Sequence, residues 1–255
     1  MSEALKVIPF EEESPEIKDR VEKYWTKRAL SFFEQRKADI DSQLADIWSE
    51  AIIKHLPAGK DIKILDVGCG AGFFPVILGR KGYSVTGIDL TGEMINHAER
   101  MIEIYGLDKD KVKAIQMDAE NPEFPDGQFD VIVSRNLTWT LPHPIDAYRQ
   151  WARVLKKGGI LLNFDAEYAK YHHDKDVRED PSHREISAEM NEECHKIYHM
   201  LTISSLTRPE WDAEVLVNLG FKNIELDIDF SDKAFADHEE FRSPQKIFMI
   251  KATKA

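Results

Sequence analysis

Three glycines at alternate positions, Gly68, Gly70 and Gly72, stand between a β-rich run, Ile62 to Val67, and an apolar run that begins at Phe73. That order spells strand, tight turn, helix. A backbone without Cβ can turn sharply and approach a ligand closely, and the helix that follows begins with N–H groups that have no partner inside it. Such a turn is expected to cradle a polar or anionic group; a tight turn with no ligand is the plainer alternative. Asp89 closes a second strand, Tyr83 to Ile88. In open α/β sheets an acid about twenty residues after the glycine turn reads a ribose at the carboxyl ends of the strands.

The dinucleotide form of this turn is Gly-x-Gly-x-x-Gly, whereas the chain reads Gly68-x-Gly70-x-Gly72, with Asp66 two residues before it. A carboxylate there suits a cationic amino group better than a pyrophosphate. The stretch Leu65-Asp66-Val67-Gly68-Cys69-Gly70-Ala71-Gly72 resembles motif I of the class I S-adenosylmethionine-dependent methyltransferases. The resemblance implies a Rossmann-like α/β fold, a seven-stranded, mostly parallel sheet with an antiparallel edge strand, and S-adenosyl-L-methionine as cofactor. It places Asp66, Gly68, Cys69, Gly70 and Gly72 near the methionine end, Asp89 on the ribose hydroxyls, and Leu90 and Met94 beside the adenine. Asp118 and Ala119, ending the third strand, match the position that meets the adenine edge, and Ser134 and Asn136 complete the cofactor side. Met94 serves equally well as core filler.

At 255 residues and 42% hydrophobic, the chain can bury one substantial core with a smaller attached lobe. A formal charge of −12 disfavours nucleic acid, whose affinity for proteins comes from a basic surface. Two cysteines make no disulfide framework, so a cytoplasmic location is expected. No apolar leader and no run of eighteen apolar residues is found, so no membrane role is expected. The expected partner is a small-molecule methyl acceptor, and the chain a monomer or homodimer.

Helical spacing runs from Glu16 to His55, more than one covering helix needs, and residues 1–55 are expected to form an N-terminal helical lid before a catalytic unit over 56–255. By resemblance, Tyr24, Trp25 and Arg28 close the cofactor pocket; they would look the same as one face of an amphipathic helix. The loop Arg135 to Leu141 follows the fourth strand, Phe129 to Ser134, and there Asn136, Thr138 and Trp139 are the acceptor-side candidates. A helix from Ile145 to Leu155, ended by Lys156-Lys157-Gly158-Gly159, leads to a fifth strand from Ile160. Residues 166–206 break the βα rhythm and are expected to be a helical insertion on the acceptor side. A sixth strand is expected over Phe221 to Phe230 and a last one over Lys246 to Ala252.

Methyl transfer needs alignment of acceptor and methyl, with a general base only where the acceptor must lose a proton. No catalytic residue is therefore fixed by the motif, and His143, His172 and His173 are the base candidates. His195 and His199, at i and i+4, have chelating spacing but no completing ligands, so no metal is expected. The Asn-Pro-Pro-Tyr signature of planar-amine methylation is replaced by Asn136-Leu137-Thr138-Trp139. The function expected is in-line methyl transfer to a small molecule at O, N, S or C, resembling the quinone-biosynthesis methyltransferase group. A non-catalytic cofactor-binding module and an NAD-dependent oxidoreductase stay open.

Overall fold

The computed structural model describes residues 15–59, 61–168, 187–242 and 245–255. Seven strands form one sheet in the order β3-β2-β1-β4-β5-β7-β6, with β1 at Lys63–Val67, β2 at Ser84–Asp89, β3 at Val112–Gln116, β4 at Phe129–Arg135, β5 at Leu155–Asp165, β6 at Phe221–Asp227 and β7 at Phe248–Lys254. The first five strands run parallel, and β7 is antiparallel to both its neighbours. The Rossmann-like sheet is as the sequence implies. Its antiparallel strand lies one place in from the edge, and β6 is outermost. Because β1 pairs with β2 on one side and β4 on the other, the chain order reverses there, and a crevice opens at their carboxyl ends.

Before β1 come two helices, α1 (Pro15–Ile40) and α2 (Leu44–Ile53). α3 (Phe73–Arg80) and α4 (Gly92–Ile104) follow β1 and β2, and α5 (Pro144–Val154) follows β4. Beyond β5 lie α6 (Ala188–Met200) and α7 (Glu210–Asn218), and α8 (Phe230–Ala234) precedes β7. Two apolar cores lie on the two sides of the sheet. One gathers Phe33, Trp48, Phe74, Ile77, Leu78 and Met101; the other gathers Tyr148, Trp151, Ile197, Trp211 and Leu216.

Strand alternation decides which residues reach the crevice. In β1, Ile64 faces the first core while Leu65 and Val67 face the second; in β4, Val131 and Val133 face the first. Continuing each pattern by two residues sends Asp66 and Arg135 toward the side of α1 to α4, at the ends of neighbouring strands.

Some boundaries differ from the sequence reading. α5 stops at Val154 because Leu155 already pairs with Phe129; the ladder resumes at Val131 and Ile160 after extra residues loop out of β5, with Gly158 at φ +75°. β6 ends at Asp227, since Phe230 is recruited into the first core as the start of α8.

Candidate active site

The glycine turn is held by the neighbouring strand: the N–H groups of Gly68 and Cys69 both donate to the Ile88 carbonyl, at 2.8 and 2.9 Å. Gly68 lies at φ +71°, Gly70 at +51° and Gly72 at +90°, a region costly for other residues. A Cβ on Gly68 would also meet Leu137 Cδ1 at 2.8 Å, so any other residue here would have to displace the Leu137 side chain of the β4–α5 loop. Asp89 fastens the turn from β2. Its Oδ2 accepts from the Gly70 N–H at 3.0 Å, and its Oδ1 from the N–H and hydroxyl of Thr91 at 3.0 and 2.8 Å. Burial pushes the Asp89 carboxyl up, against the Thr91 and Gly70 hydrogen bonds. Thr91 occupies the N-cap position of α4, but its hydroxyl goes to Asp89 and not to the helix.

Over this turn opens a cavity of about 340 Å³, within the usual range for small-molecule sites. It collects most of the residues singled out in the sequence: Asp66, Gly68, Cys69, Gly70, Asp89, Leu90, Met94, Asp118, Ala119, Asn136 and Trp139, with Tyr24, Trp25 and Arg28 from α1. Asp66 is 2% exposed and accepts no hydrogen bond among the described residues. Burial pushes its carboxyl up to about 8, despite the pull of Arg135.

Four candidates lie elsewhere. Gly72 packs against the Ala98 backbone, where a Cβ would come within 3.0 Å. The Ser134 hydroxyl donates to the Val67 carbonyl at 3.1 Å inside the sheet. Thr138 is fully buried, its hydroxyl donating to Asp165 and accepting from Arg208 Nη2 at 2.6 Å and Asn163 Nδ2 at 3.1 Å. His143 precedes α5 and faces Glu120, its N–H donating to Oε1 at 2.6 Å and its Nδ1 3.1 Å from Oε2. His172 and His173 lie outside the described residues. His195 and His199 put their Nε2 atoms 3.0 Å apart, and among the described residues no three His, Cys, Asp or Glu side chains converge as a metal site.

Aromatic rings roof the cavity. Trp25 of α1 meets Tyr24, Phe32 and Trp139 edge-on at 5.2, 5.3 and 6.2 Å between centroids, and Trp139 meets Tyr198 of α6 at 4.8 Å. The Trp139 ring is fixed by its Nε1–H, which donates to the Asn136 carbonyl at 3.0 Å. Two polar clasps hold α1 down. Lys18 donates to Asp118 at 2.6 Å and pairs with Glu120, and Arg20 Nη2 donates to Glu193 of α6 at 2.8 Å. Burial works against the Lys18 charge, but Asp118 and Glu120 more than offset it and hold its pKa above the usual lysine value.

Beneath Trp139 lies a buried network that sequence reading passed over. Arg208 donates to Asp165 at 2.9 Å and, through Nε and Nη2, to Asp212 at 2.8 Å each. The Tyr148 hydroxyl donates to Asp212 at 2.7 Å, and the Trp139 N–H to Asp165 at 2.9 Å. The β4–α5 loop is thereby anchored to β5 and α7. Two cavity groups were also missed. Thr140 is buried with a hydroxyl that finds no partner among the described residues. Arg135 follows the last apolar residue of its face of β4, a charge where the alternation called for a core residue. Asn136 was expected here; it sits at φ +54°, and its Oδ1 likewise accepts nothing.

Residues 65–163 match the family described as "Methyltransferase domain". The match runs from within β1 through most of β5 and so includes the glycine turn, Asp89 and the β4–α5 loop. Among named relatives, the putative methyltransferase YqeM of Bacillus subtilis is 36% identical over 121 residues, 46% of this chain and 47% of that protein. The ubiquinone biosynthesis O-methyltransferase of Pseudomonas aeruginosa is 36% identical over 108 residues, 41% of this chain and 44% of its own. The chain thus spans about half the length of these relatives. The malonyl-[acyl-carrier protein] O-methyltransferase of a Paenibacillus is 26% identical over 217 residues, 80% of this chain and 72% of that one. In fold, the chain resembles the geranyl diphosphate C-methyltransferase of Streptomyces coelicolor, with a TM-score of 0.62, 16% identity and coverage of 96% of this chain and 100% of the other.

Proposed function

We propose that the chain is an S-adenosylmethionine-dependent methyltransferase that alkylates a small-molecule acceptor by in-line displacement. The observation that carries this is Asp66: a carboxyl 2% exposed, without a hydrogen-bond donor among the described residues, at the mouth of a glycine turn. A buried carboxyl in that state is poorly satisfied until a cationic group reaches it, and the ammonium of the cofactor's methionine end is such a group. Asp89 accepts three hydrogen bonds from Gly70 and Thr91 and keeps a lone pair on Oδ2 for a ribose hydroxyl. Leu90, Met94 and Ala119 supply apolar walls for an adenine, with Asp118 at its edge. Solved structures of similar fold include a phosphoethanolamine N-methyltransferase of Haemonchus contortus in complex with S-adenosyl-L-methionine, at a TM-score of 0.58 and 19% identity over 81% of this chain and 52% of that one.

When bound, S-adenosylmethionine supplies an electrophilic methyl on a sulfonium with a thioether leaving group. The protein's part is alignment and exclusion of water. Trp25, Tyr24 and Trp139 close the cavity and offer aromatic faces to a cation. Asn136 Oδ1 and Thr140 Oγ1, which find no partner among the described residues, are placed to orient the acceptor. No described histidine lines the cavity, so His143 is assigned no proton transfer. In the same reading, α1 and α2 of residues 1–55 form a lid and α6 of residues 166–206 an acceptor-side insertion, while residues 1–14 and 169–186 lie outside the described residues. α1 and α6 both wall the cavity, which supports that division. A cytoplasmic location fits Cys69 and Cys194, both free thiols, and no described helix is long and apolar enough to cross a membrane.

The test is a panel of phenolic, carboxylate, amine and isoprenoid acceptors incubated with S-adenosylmethionine and read by S-adenosylhomocysteine release. Turnover with one class supports the proposal. Cofactor binding with no release above background across the panel would favour a non-catalytic module.

A further inference from the structure

Arg135 ends β4 in register with Val131 and Val133, so its side chain leaves the sheet toward the first core and not toward solvent. Its guanidinium lies over Phe73 at 4.5 Å, Trp48 at 4.9 Å and Phe74 at 5.1 Å from the ring centroids. Ring faces attract the charge but accept none of its five N–H donors in a carboxylate's geometry. Among the described residues Arg135 makes no hydrogen bond and no ion pair. Arg208 shows how this fold treats a buried guanidinium that serves structure alone: two aspartates and a hydroxyl surround it.

Among the described residues, none of the acids near Arg135 pairs with it. Asp39 pairs with Arg36 at 3.1 Å, and Arg36 itself lies 5.8 Å from the Phe73 centroid. Asp66 is assigned above to the cofactor's ammonium. Glu240, at the rim, faces His238 at 3.4 Å. This corner therefore sets the Arg135 and Arg36 guanidiniums against one paired aspartate, with Arg242 at the rim donating to the Phe235 and Ala236 carbonyls, inside walls made by Trp48, Phe235, Phe241 and Ile247. Burial, with repulsion from Arg36, pulls the Arg135 pKa down to about 9, as expected of a cation lacking its counter-ion.

We propose that the methyl acceptor carries an anionic head, carboxylate or phosphate, on an apolar body, and that Arg135 binds that head. The inference rests on reading the cavity as a methyltransferase site. A guanidinium fork suits planar carboxylate and phosphate oxygens, and the apolar walls suit the remainder of the molecule. The cofactor's own carboxylate has the same chemistry, so the experiment separates the two sources.

Calorimetry on the full chain, saturated with S-adenosylhomocysteine, would compare 2-naphthoate, 2-naphthyl phosphate, 2-naphthol and 2-naphthylmethylamine at pH 7. An anion is expected to bind at least about tenfold more tightly than the neutral and cationic probes. Arg135→Met should level the series, Arg135→Lys should retain part of the preference, and affinities for S-adenosylhomocysteine and 5′-methylthioadenosine should stay within about twofold of wild type. No anion preference in the wild type overturns the proposal. So does an Arg135→Met variant that loses S-adenosylhomocysteine but keeps 5′-methylthioadenosine, because Arg135 then serves the cofactor. If Arg135→Met does not fold, the four probes on the wild type decide. If S-adenosylhomocysteine itself does not bind, the methyltransferase reading fails, and the same series run without it still tests Arg135.

Discussion

Replacing Asp66 by asparagine should stabilise the ligand-free protein while weakening its cofactor binding. The Asp66 carboxyl has a folded pKa of about 8 against an ordinary value of 3.8. Between those values the folded protein keeps a proton that the unfolded chain releases, so wild-type stability falls as pH rises and levels off above the folded pKa. At about 1.4 kcal/mol per pH unit, the penalty is about 2 kcal/mol at pH 5 and about 6 kcal/mol well above pH 8. Asparagine has the same shape and no charge to bury. Its stability relative to wild type should grow by about 4 kcal/mol between pH 5 and pH 8, read by urea unfolding at several pH values. Binding provides the opposite sign. An ammonium that pulls Asp66 into its charged form must expel the proton, so wild type should release close to one proton per S-adenosylhomocysteine at pH 7, measured by calorimetry in buffers of different ionisation enthalpy. The variant should release none and bind at least about tenfold more weakly. A stability difference that ignores pH, or equal affinity in the variant, refutes this role for Asp66.

Other perturbations probe the remaining parts of the site. Arg208→Met leaves Asp165 and Asp212 buried without their cation and should cost about 3–5 kcal/mol in urea unfolding, with loss of the near-ultraviolet signal of Trp139. Asp89→Ala should reduce S-adenosylhomocysteine affinity by at least about tenfold; because Gly70 and Thr91 also lose an acceptor, a stability loss of about 1–3 kcal/mol should accompany it. Gly68→Ala, at φ +71° and against Leu137, should cost about 1–3 kcal/mol and weaken binding of the cofactor product in parallel. Lys18→Met removes the clasp on Asp118 and Glu120 and should raise amide exchange across α1 while leaving the sheet unchanged.

The sheet and its glycine turn were legible because each signal is local. Ile64-x-Asp66 and the three glycines state both the strand parity and the turn, and Asp89 follows at the spacing of the next strand. Leu90, Met94, Asp118 and Ala119 came with the same register. Hydroxyls were harder. Ser134 and Thr138 look like site residues by position, yet their partners, the Val67 carbonyl in one case and Asp165 and Arg208 in the other, lie 67 residues away and 27 and 70 residues away. No local pattern announces such a partner. Arg135 is the opposite case. A charge in the place of a third core residue on β4 was visible, but its meaning needed the rings of α2 and α3 and the lack, among the described residues, of an acid paired with it. The α5 boundary moved for a comparable reason: Lys156 to Gly159 read as a helix stop, while pairing of Leu155 with Phe129 starts the strand first.

The central claim is that this cavity holds a sulfonium nucleoside between Asp66 and Asp89. Titration calorimetry of the purified chain with S-adenosylhomocysteine, with NAD as the control ligand, tests it most directly. The account predicts saturable one-to-one binding of the first and none of the second; a folded chain that gives no heat with S-adenosylhomocysteine at millimolar concentration, or that binds NAD instead, contradicts it.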